Sequence, residues 1–182
     1  MMDKKLKPEQ LRNTVPTKGQ LESLKRNDIY FILDDIMDTY NVGGIFRLAD
    51  AVSAKKVFLC GITESPPNIK VKRASVNTWQ WVDWEKKMSA QDAINQLRRE
   101  VPAIKVIAVE QDDNSLSFSQ ADYQLPVALV VGHETRGVHP DVIKKCDATV
   151  EMPMLGVNTS LNVIVSLGVV TYKVLEFNNL TV

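Results

Sequence analysis

The stretch IYFILDDIMDTYNVGGIFRLADAV, residues 29–52, decides the fold. Its first seven residues are rich in β-formers and end in the acids Asp34 and Asp35. From Asn41 onward apolar residues return at helical spacing, as Ile45, Leu48, Ala49 and Val52. A strand followed by a helix is the simplest reading, and the chain goes on to repeat it. KKVFLCGI (55–62), AIKVIAVE (103–110) and VALVVG (127–132) are short continuous apolar runs of the kind buried on both faces of a parallel sheet. SAQDAINQLRRE (89–100) opens on Ser89, a good helix N-cap, and closes on Arg98 and Arg99, while TVEMPM (149–154) is a further short strand. Such alternation predicts an α/β fold: a mostly parallel sheet with helices on both faces. Ligands bind outside the carboxyl ends of the strands in such sheets, which directs attention to the loops after Asp34, Gly61, Glu110, Val131 and Met152.

The chain's 182 residues suit one domain with a full core. We place that domain over 26–182, preceded by a polar, charged arm over 1–25 that is either helical or partly ordered. No apolar run reaches the roughly 18 residues needed to span a bilayer, and no apolar core follows the first lysines, so no membrane association is expected and the cytoplasm is the expected address. Cys60 and Cys146 have no histidine at ligand spacing; both are expected to be buried or half-buried thiols, with no metal. Twenty-two basic and 22 acidic residues cancel, which does not advertise a nucleic-acid binder. Local basic clusters exist nonetheless, among them Lys70, Lys72 and Arg73 in TESPPNIKVKR (63–73), a proline-stiffened segment expected to be a long loop. Whether that segment is a substrate-facing rim or a solvated loop stays open.

Three constellations fall at strand ends. In NVGGIFRLAD (41–50), Asn41 is expected to cap the following helix, and Arg47 stands among apolar residues near that helix's amino end. Arg47 either pairs with Asp34, Asp35 or Asp50, or serves a ligand; in a first turn it would oppose the helix dipole. In VVGHETRGV (130–138), Gly132 and Gly137 bracket a turn whose fixed acceptor is Glu134, with His133 and His139 expected as turn or surface histidines. In MPMLGVNTSLNV (152–163), a strand gives way to a loop and then to a helix that Ser160 or Thr159 is expected to cap. Asn162 lies too deep for capping alone on this reading, and as a buried amide it needs partners.

Together, in order and spacing, these segments resemble the SpoU family, the TrmH-like branch of the SPOUT methyltransferases, over about residues 28–176. The resemblance implies a C-terminal deep trefoil knot, a homodimer, S-adenosyl-L-methionine as cofactor, and methyl transfer to a ribose 2′-hydroxyl of RNA, tRNA before rRNA. By the same resemblance Arg47 is the catalytic residue, and Asn41, Glu134, Ser160 and Asn162 match the other polar motif positions. Leu129, Val131, Gly132, Glu134, Met152, Met154, Ser160 and Leu161 are the expected cofactor contacts. Two roles are open for Arg47: acting with an RNA phosphate to deprotonate the hydroxyl, or clamping the phosphate and stabilising the alkoxide. A free guanidinium is a very poor base, its pKa lying above about 12. The chain departs from the family pattern in RASVNTWQWVDWEK (73–86), where Asn77, Thr78, Trp79 and Gln80 replace a small-residue run; Trp79 and Trp81 are expected on one strand face, in the core rather than stacking on bases. The competing reading, a catalytically silent RNA- or SAM-binding module of the same fold, is disfavoured by the presence of Asn41, Arg47, Glu134 and Asn162 together.

Overall fold

Strand β1 (Asn27–Asp34) is apolar without interruption from Ile29 to Leu33 because those side chains alternate between two helical layers. Ile29, Phe31 and Leu33 pack into the layer containing α2 (Thr39–Ala51) and α6 (Val163–Phe177). Tyr30 and Ile32 pack into the opposite layer, against Ala90, Ala93, Ile94 and Leu97 of α4 (Ala90–Glu100). The computed structural model, which describes residues 15–180, thus has helices on both faces of its sheet. Strands β2 (Ala54–Cys60), β3 (Trp84–Lys87), β4 (Lys105–Val109), β5 (Leu116–Ser117), β6 (Val127–Gly132) and β7 (Ala148–Glu151) complete a seven-stranded sheet in the order β3-β2-β1-β6-β4-β7-β5. Every pairing in it is parallel.

The first three strands run outward from β1 in one direction, after which the chain crosses back and lays its later strands on the other side. The direction of winding therefore reverses beside β1. Asp34 pairs in register with Gly132, so the loops leaving β1 and β6 emerge side by side at that reversal, where such sheets hold their ligands. Close helix packing fixes the surroundings. A Cβ on Gly43 of α2 would lie 2.3 Å from the Ala74 Cβ, and one on Gly44 would lie 2.4 Å from Ile164 Cδ1, so the absent side chains let α2 seat against two neighbours at once.

The segment 63–73 is only partly loop. Asn68 accepts hydrogen bonds from the amides of Lys70 (2.9 Å) and Val71 (3.4 Å) and starts the short helix α3 (Ile69–Ala74), which buries Val71 alone and so leaves no periodicity to detect. Trp79 and Trp81 do not alternate on a strand: Trp79 sits in a 3₁₀ turn (Thr78–Gln80) and Trp81 follows it. All three tryptophans nevertheless pack half-buried on the core, and Trp81 Nε1 donates to Asp50 Oδ1 at 2.6 Å. Among residues 15–25, helix α1 (Lys18–Ser23) is closed by a reciprocal capping box between Thr17 and Gln20 and buries nothing. Residues 1–14 of the expected arm and 181–182 of the expected domain lie outside the described residues. A remaining short helix, α5 (Pro140–Ile143), joins the α4 layer through Val142. Cys60 is buried and Cys146 half-buried, both as free thiols; burial pushes Cys60 far above its usual range and Cys146 up to about 12. No helix among the described residues is long and apolar enough to cross a membrane.

Candidate active site

The turn after β6 folds back on itself, with the His133 amide donating to the Gly137 carbonyl (3.1 Å) and the Gly137 amide to the His133 carbonyl (2.8 Å). His133 Nδ1 accepts from the Thr135 amide at 3.0 Å, which makes it the turn histidine expected; His139 likewise caps α5. From this turn Glu134 reaches across to the loop after β1. Its carboxylate accepts the amides of Met37 (3.1 Å) and Asp38 (2.9 Å) and the side-chain NH₂ of Asn41 (2.8 Å). The Asn41 carbonyl oxygen accepts in turn from Asn162 Nδ2 at 3.2 Å, and Asn162 Oδ1 caps α6 by accepting the Ile164 amide at 2.9 Å. One line of hydrogen bonds therefore joins all three sequence constellations. Asn41 is only 4% exposed, so with either partner missing its amide would carry the cost of an unpaired buried group, about 1–3 kcal/mol.

This arrangement corrects three expectations. Asn41 does not cap α2: Asp38 does, accepting the Tyr40 amide at 2.8 Å, because the helix starts two residues before Asn41 and frees that side chain for Glu134. Neither Ser160 nor Thr159 caps α6; Ser160 donates to Asn158 Oδ1 and Asn162 is the cap, so an exposed Asn162 does both tasks and the buried amide is Asn41. Arg47 is not near the amino end of its helix but in the second half of Thr39–Ala51, clear of the unfavourable dipole end. It is exposed and makes no hydrogen bond or ion pair among the described residues. Its expected acid partners are engaged elsewhere: Asp34 by the His139 amide (3.0 Å), Asp35 by the Ile62 amide (2.9 Å) and Asp50 by Trp81.

A cavity of about 380 Å³ opens at the carboxyl ends of β4, β6 and β7. Gly132, Glu134, Met152, Met154, Ser160, Leu161 and Asn162 line it, as the sequence leads one to expect. Leu129 and Val131 are not on the lining: strand alternation turns the odd-numbered side chains of β6 into the core with α2 and α6, where both are fully buried, which leaves only their backbone for the contact expected of them. Asn41 stands behind Glu134 rather than on the wall, and Arg47 lies two turns further along α2. Of the lining residues that escaped the sequence reading, two fix the walls. Glu110 accepts the Val138 amide at 2.9 Å and fixes the far side of the turn, while Gln111 Nε2 donates to the Thr159 carbonyl at 2.8 Å and clasps the loop that forms the rim. The acid at the end of an apolar run was a usable signal for the first; the second sits in a polar stretch and gave none. No cluster of metal-ligating side chains occurs among the described residues.

Two carboxyl groups beside this cavity shift in opposite directions. Burial acts against the charged form of Glu134, but the hydrogen bonds from Asn41, Asp38 and Met37 outweigh it and hold the carboxyl below its ordinary value. Burial raises Asp34, only partly offset by the His139 amide. A depressed carboxyl stabilises the fold above its ordinary pKa, and that stability is lost as pH falls through the lower, folded value; a raised one has the reverse effect. Glu134→Gln is therefore expected to flatten the acid limb of stability, with Asp34 common to both proteins. Urea midpoints measured from pH 6 down to pH 3 check this, and parallel curves for wild type and variant would sink it.

Comparison with known proteins gives a family match whose range contains all three segments. The sequence model of the SpoU rRNA Methylase family matches residues 28–172. The tRNA (guanosine(18)-2′-O)-methyltransferase of Aquifex aeolicus is 26% identical over 155 residues, covering 82% of this chain and 69% of the relative. The SpoU methyltransferase AviRb from Streptomyces viridochromogenes, solved with AdoMet, superposes with a TM-score of 0.76 at 23% identity, over 86% of this chain and 63% of that one. A structure described as giving insights into the 2-OH methylation of C/U34 on tRNA superposes with a TM-score of 0.74 at 25% identity, over 84% of this chain and 97% of that one. The chain thus spans about two-thirds of the length of the first two.

Proposed function

Because this chain belongs to the SpoU rRNA Methylase family, we propose that it transfers the methyl group of S-adenosyl-L-methionine to a ribose 2′-hydroxyl of RNA, tRNA before rRNA, in the cytoplasm. The observation that carries this reading is the line Glu134–Asn41–Asn162, which draws three distant segments together beside a cavity and leaves Arg47 exposed without a partner. A SAM-sized molecule fits that cavity: its volume, about 380 Å³, is in the range of small-ligand sites. The lining divides suitably, with Val109, Val150, Met152 and Leu161 offering apolar surface to an adenine while Glu134, Ser160 and Asn162 offer polar atoms. When bound, the cofactor supplies an electrophilic methyl on a sulfonium.

The chain's own residues do the rest. Glu134, Asn41 and Asn162 hold the walls in register; Arg47, whose planar fork suits a phosphodiester, grips the RNA backbone and stabilises the oxygen as its proton leaves. Arg47 would hold the ribose hydroxyl in place for a methyl supplied by the bound cofactor, with the hydroxyl proton passing to a neighbouring phosphate or to water. Ser160 contributes a cavity-wall hydroxyl. The trefoil knot belongs to the same proposal and is supported by the family to which the chain belongs.

A homodimer is part of this reading as well. Leu161, Val165, Val169 and Tyr172 form an exposed apolar stripe, 40–54% accessible, along α6 and the residue before its cap. Spacing of four, four and three residues puts them on one helix face, and a second copy of that face would cover them. Val169→Asp is expected to convert a dimer into a monomer in sedimentation; a wild-type protein that sediments as a monomer at micromolar concentration overturns the dimer.

The activity itself is tested by transfer of labelled methyl from SAM into unmodified tRNA and rRNA pools, followed by digestion to locate the label on ribose or base. Ribose label supports the reading. SAM binding without label in either pool overturns it in favour of a silent module.

A further inference from the structure

The chain is neutral overall, yet three cations without an acid partner stand together on the helix packed against that of Arg47. Many other basic side chains meet acids, as Lys55 meets Asp28, Arg98 meets Asp147, Lys105 meets Asp122 and Lys173 meets Glu176, while Lys25, Arg99, Arg136 and Lys145, which have no ion pair among the described residues, lie on other elements. Lys70, Lys72 and Arg73 of α3 are exposed, and their side chains make no ion pair or hydrogen bond among the described residues. Lys72 instead lies over the ring of Trp79, 5.2 Å from its centroid, which steadies the side chain without neutralising it. The acids at hand are occupied, Asp50 by Trp81 and Glu64 by Asn68. A hollow of about 600 Å³ runs along the outer face of this helix, lined by Ile69, Lys72, Arg73, Val76 and Asn77. Positions 69, 72 and 73 follow helical spacing and Val76 reaches the same hollow from beyond the helix end, so cations and apolar surface share one side.

The position of this hollow relative to Arg47 is fixed by packing. Gly43 of α2 sits against Ala74 of α3 closely enough that a methyl between them would clash, and Arg47 lies one turn along α2 from Gly43, about 6 Å by helix rise. The two helices therefore present Arg47, Lys70, Lys72 and Arg73 as one rigid unit. Val76, at φ 50°, and Asn77, at φ 70°, turn the backbone sharply at the end of α3 and close the hollow's lower side. This is also where the sequence departs from the family's small-residue run.

We infer that the hollow on α3, between Lys72, Arg73 and Asn77, docks the phosphodiester backbone of the substrate RNA beside the reacting ribose. The inference rests on the RNA reading above and answers what that reading leaves open: how a neutral protein holds a polyanion. Cations already paired within the protein release nothing when RNA arrives, whereas unpaired ones displace the RNA's counterions, which is where such affinity originates. Ile69, 65% exposed at the edge of the hollow, supplies apolar contact for a sugar or a base face.

The test is equilibrium binding of unmodified tRNA to the full chain at several salt concentrations, for wild type, a Lys72→Ala/Arg73→Ala variant and a control, Arg99→Ala/Lys145→Ala, on the opposite face of the sheet. The α3 variant is expected to bind about tenfold more weakly and to lower the slope of log affinity against log salt by about 1.4–1.8. SAM affinity and melting temperature should not change, since both side chains are exposed and away from the cavity. The control should match wild type. An α3 variant with wild-type tRNA affinity and slope overturns the docking site while leaving the methyltransferase reading standing. A wild type that binds SAM but no RNA at low salt overturns both. Poly-glutamate displacing tRNA at equal charge concentration overturns RNA as the occupant and assigns the patch to an acidic protein.

Discussion

Arg47→Ala is expected to lower kcat/KM for RNA methylation by about 10²–10³, the usual loss when one group that stabilises developing charge is removed. That corresponds to roughly 2.7–4 kcal/mol of transition-state stabilisation. The structure makes this an unusually clean substitution. Arg47 is exposed, has no hydrogen bond or ion pair among the described residues, and sits past the middle of α2, so its removal leaves no buried group unpaired and no cap broken. Stability is therefore expected to stay within the ±0.5 kcal/mol typical of surface changes. SAM affinity should be unchanged, because Arg47 does not line the cavity. Arg47→Lys keeps the charge but loses the two-pronged geometry, and should recover only part of the activity. Single-turnover methylation alongside calorimetric SAM titration separates these effects; a variant with full turnover removes Arg47 from the reaction.

Gly132→Ala should damage fold and site together. A Cβ at Gly132 would lie 2.2 Å from both the Gly137 carbonyl carbon and the Val138 nitrogen. Those are backbone atoms, and they are tethered: the His133–Gly137 pair holds one side and Glu110 holds the Val138 amide on the other. Relief requires opening the turn that carries Glu134, which releases Asn41 and the amides of Met37 and Asp38. We expect a loss at or above the upper end of the ~1–3 kcal/mol found for overpacked interiors. At 2–4 °C per kcal/mol for a domain of this size, that lowers Tm by about 6–12 °C. SAM binding should weaken in parallel. Thermal unfolding with and without SAM checks both, and a Tm within 2 °C of wild type would show that the turn yields freely.

Much of this architecture was legible in the sequence, for local reasons. β1, β2, β4 and β6 announced themselves because strands buried on both faces are continuous apolar runs, and Ser89 marked α4 correctly, accepting the Asp92 amide at 3.1 Å. Helix starts were harder where several capping residues compete. Asp38, Thr39 and Asn41 can all cap, as can Asn158, Thr159, Ser160 and Asn162, and tertiary partners decided which did. Short elements such as α3 and β5 bury too few side chains to leave a periodic trace. Strand order was out of reach because pairing depends on packing between segments far apart in sequence. Within the site, the residue types were readable and their connections were not. Glu134 stood out as an acceptor, but that it would gather two amides and Asn41 is a fact of three-dimensional proximity.

That proximity has a consequence for the order of events in synthesis. Asn41 and Asn162 are 121 positions apart, and Asp34 and His139 are 105 apart, yet each pair shares a hydrogen bond at the cavity's edge. Contacts of such long range require the intervening loop to close first, which makes them late and slow to form. A nascent chain can fold β1, α2 and β2 on one another as soon as they emerge, whereas Asn41 gains Glu134 only when the turn after β6 is made, and Asn162 later still. Until then the molecule has a sheet and no place to bind a methyl donor, so premature termination anywhere before the last helix yields a protein that is inert rather than partly active.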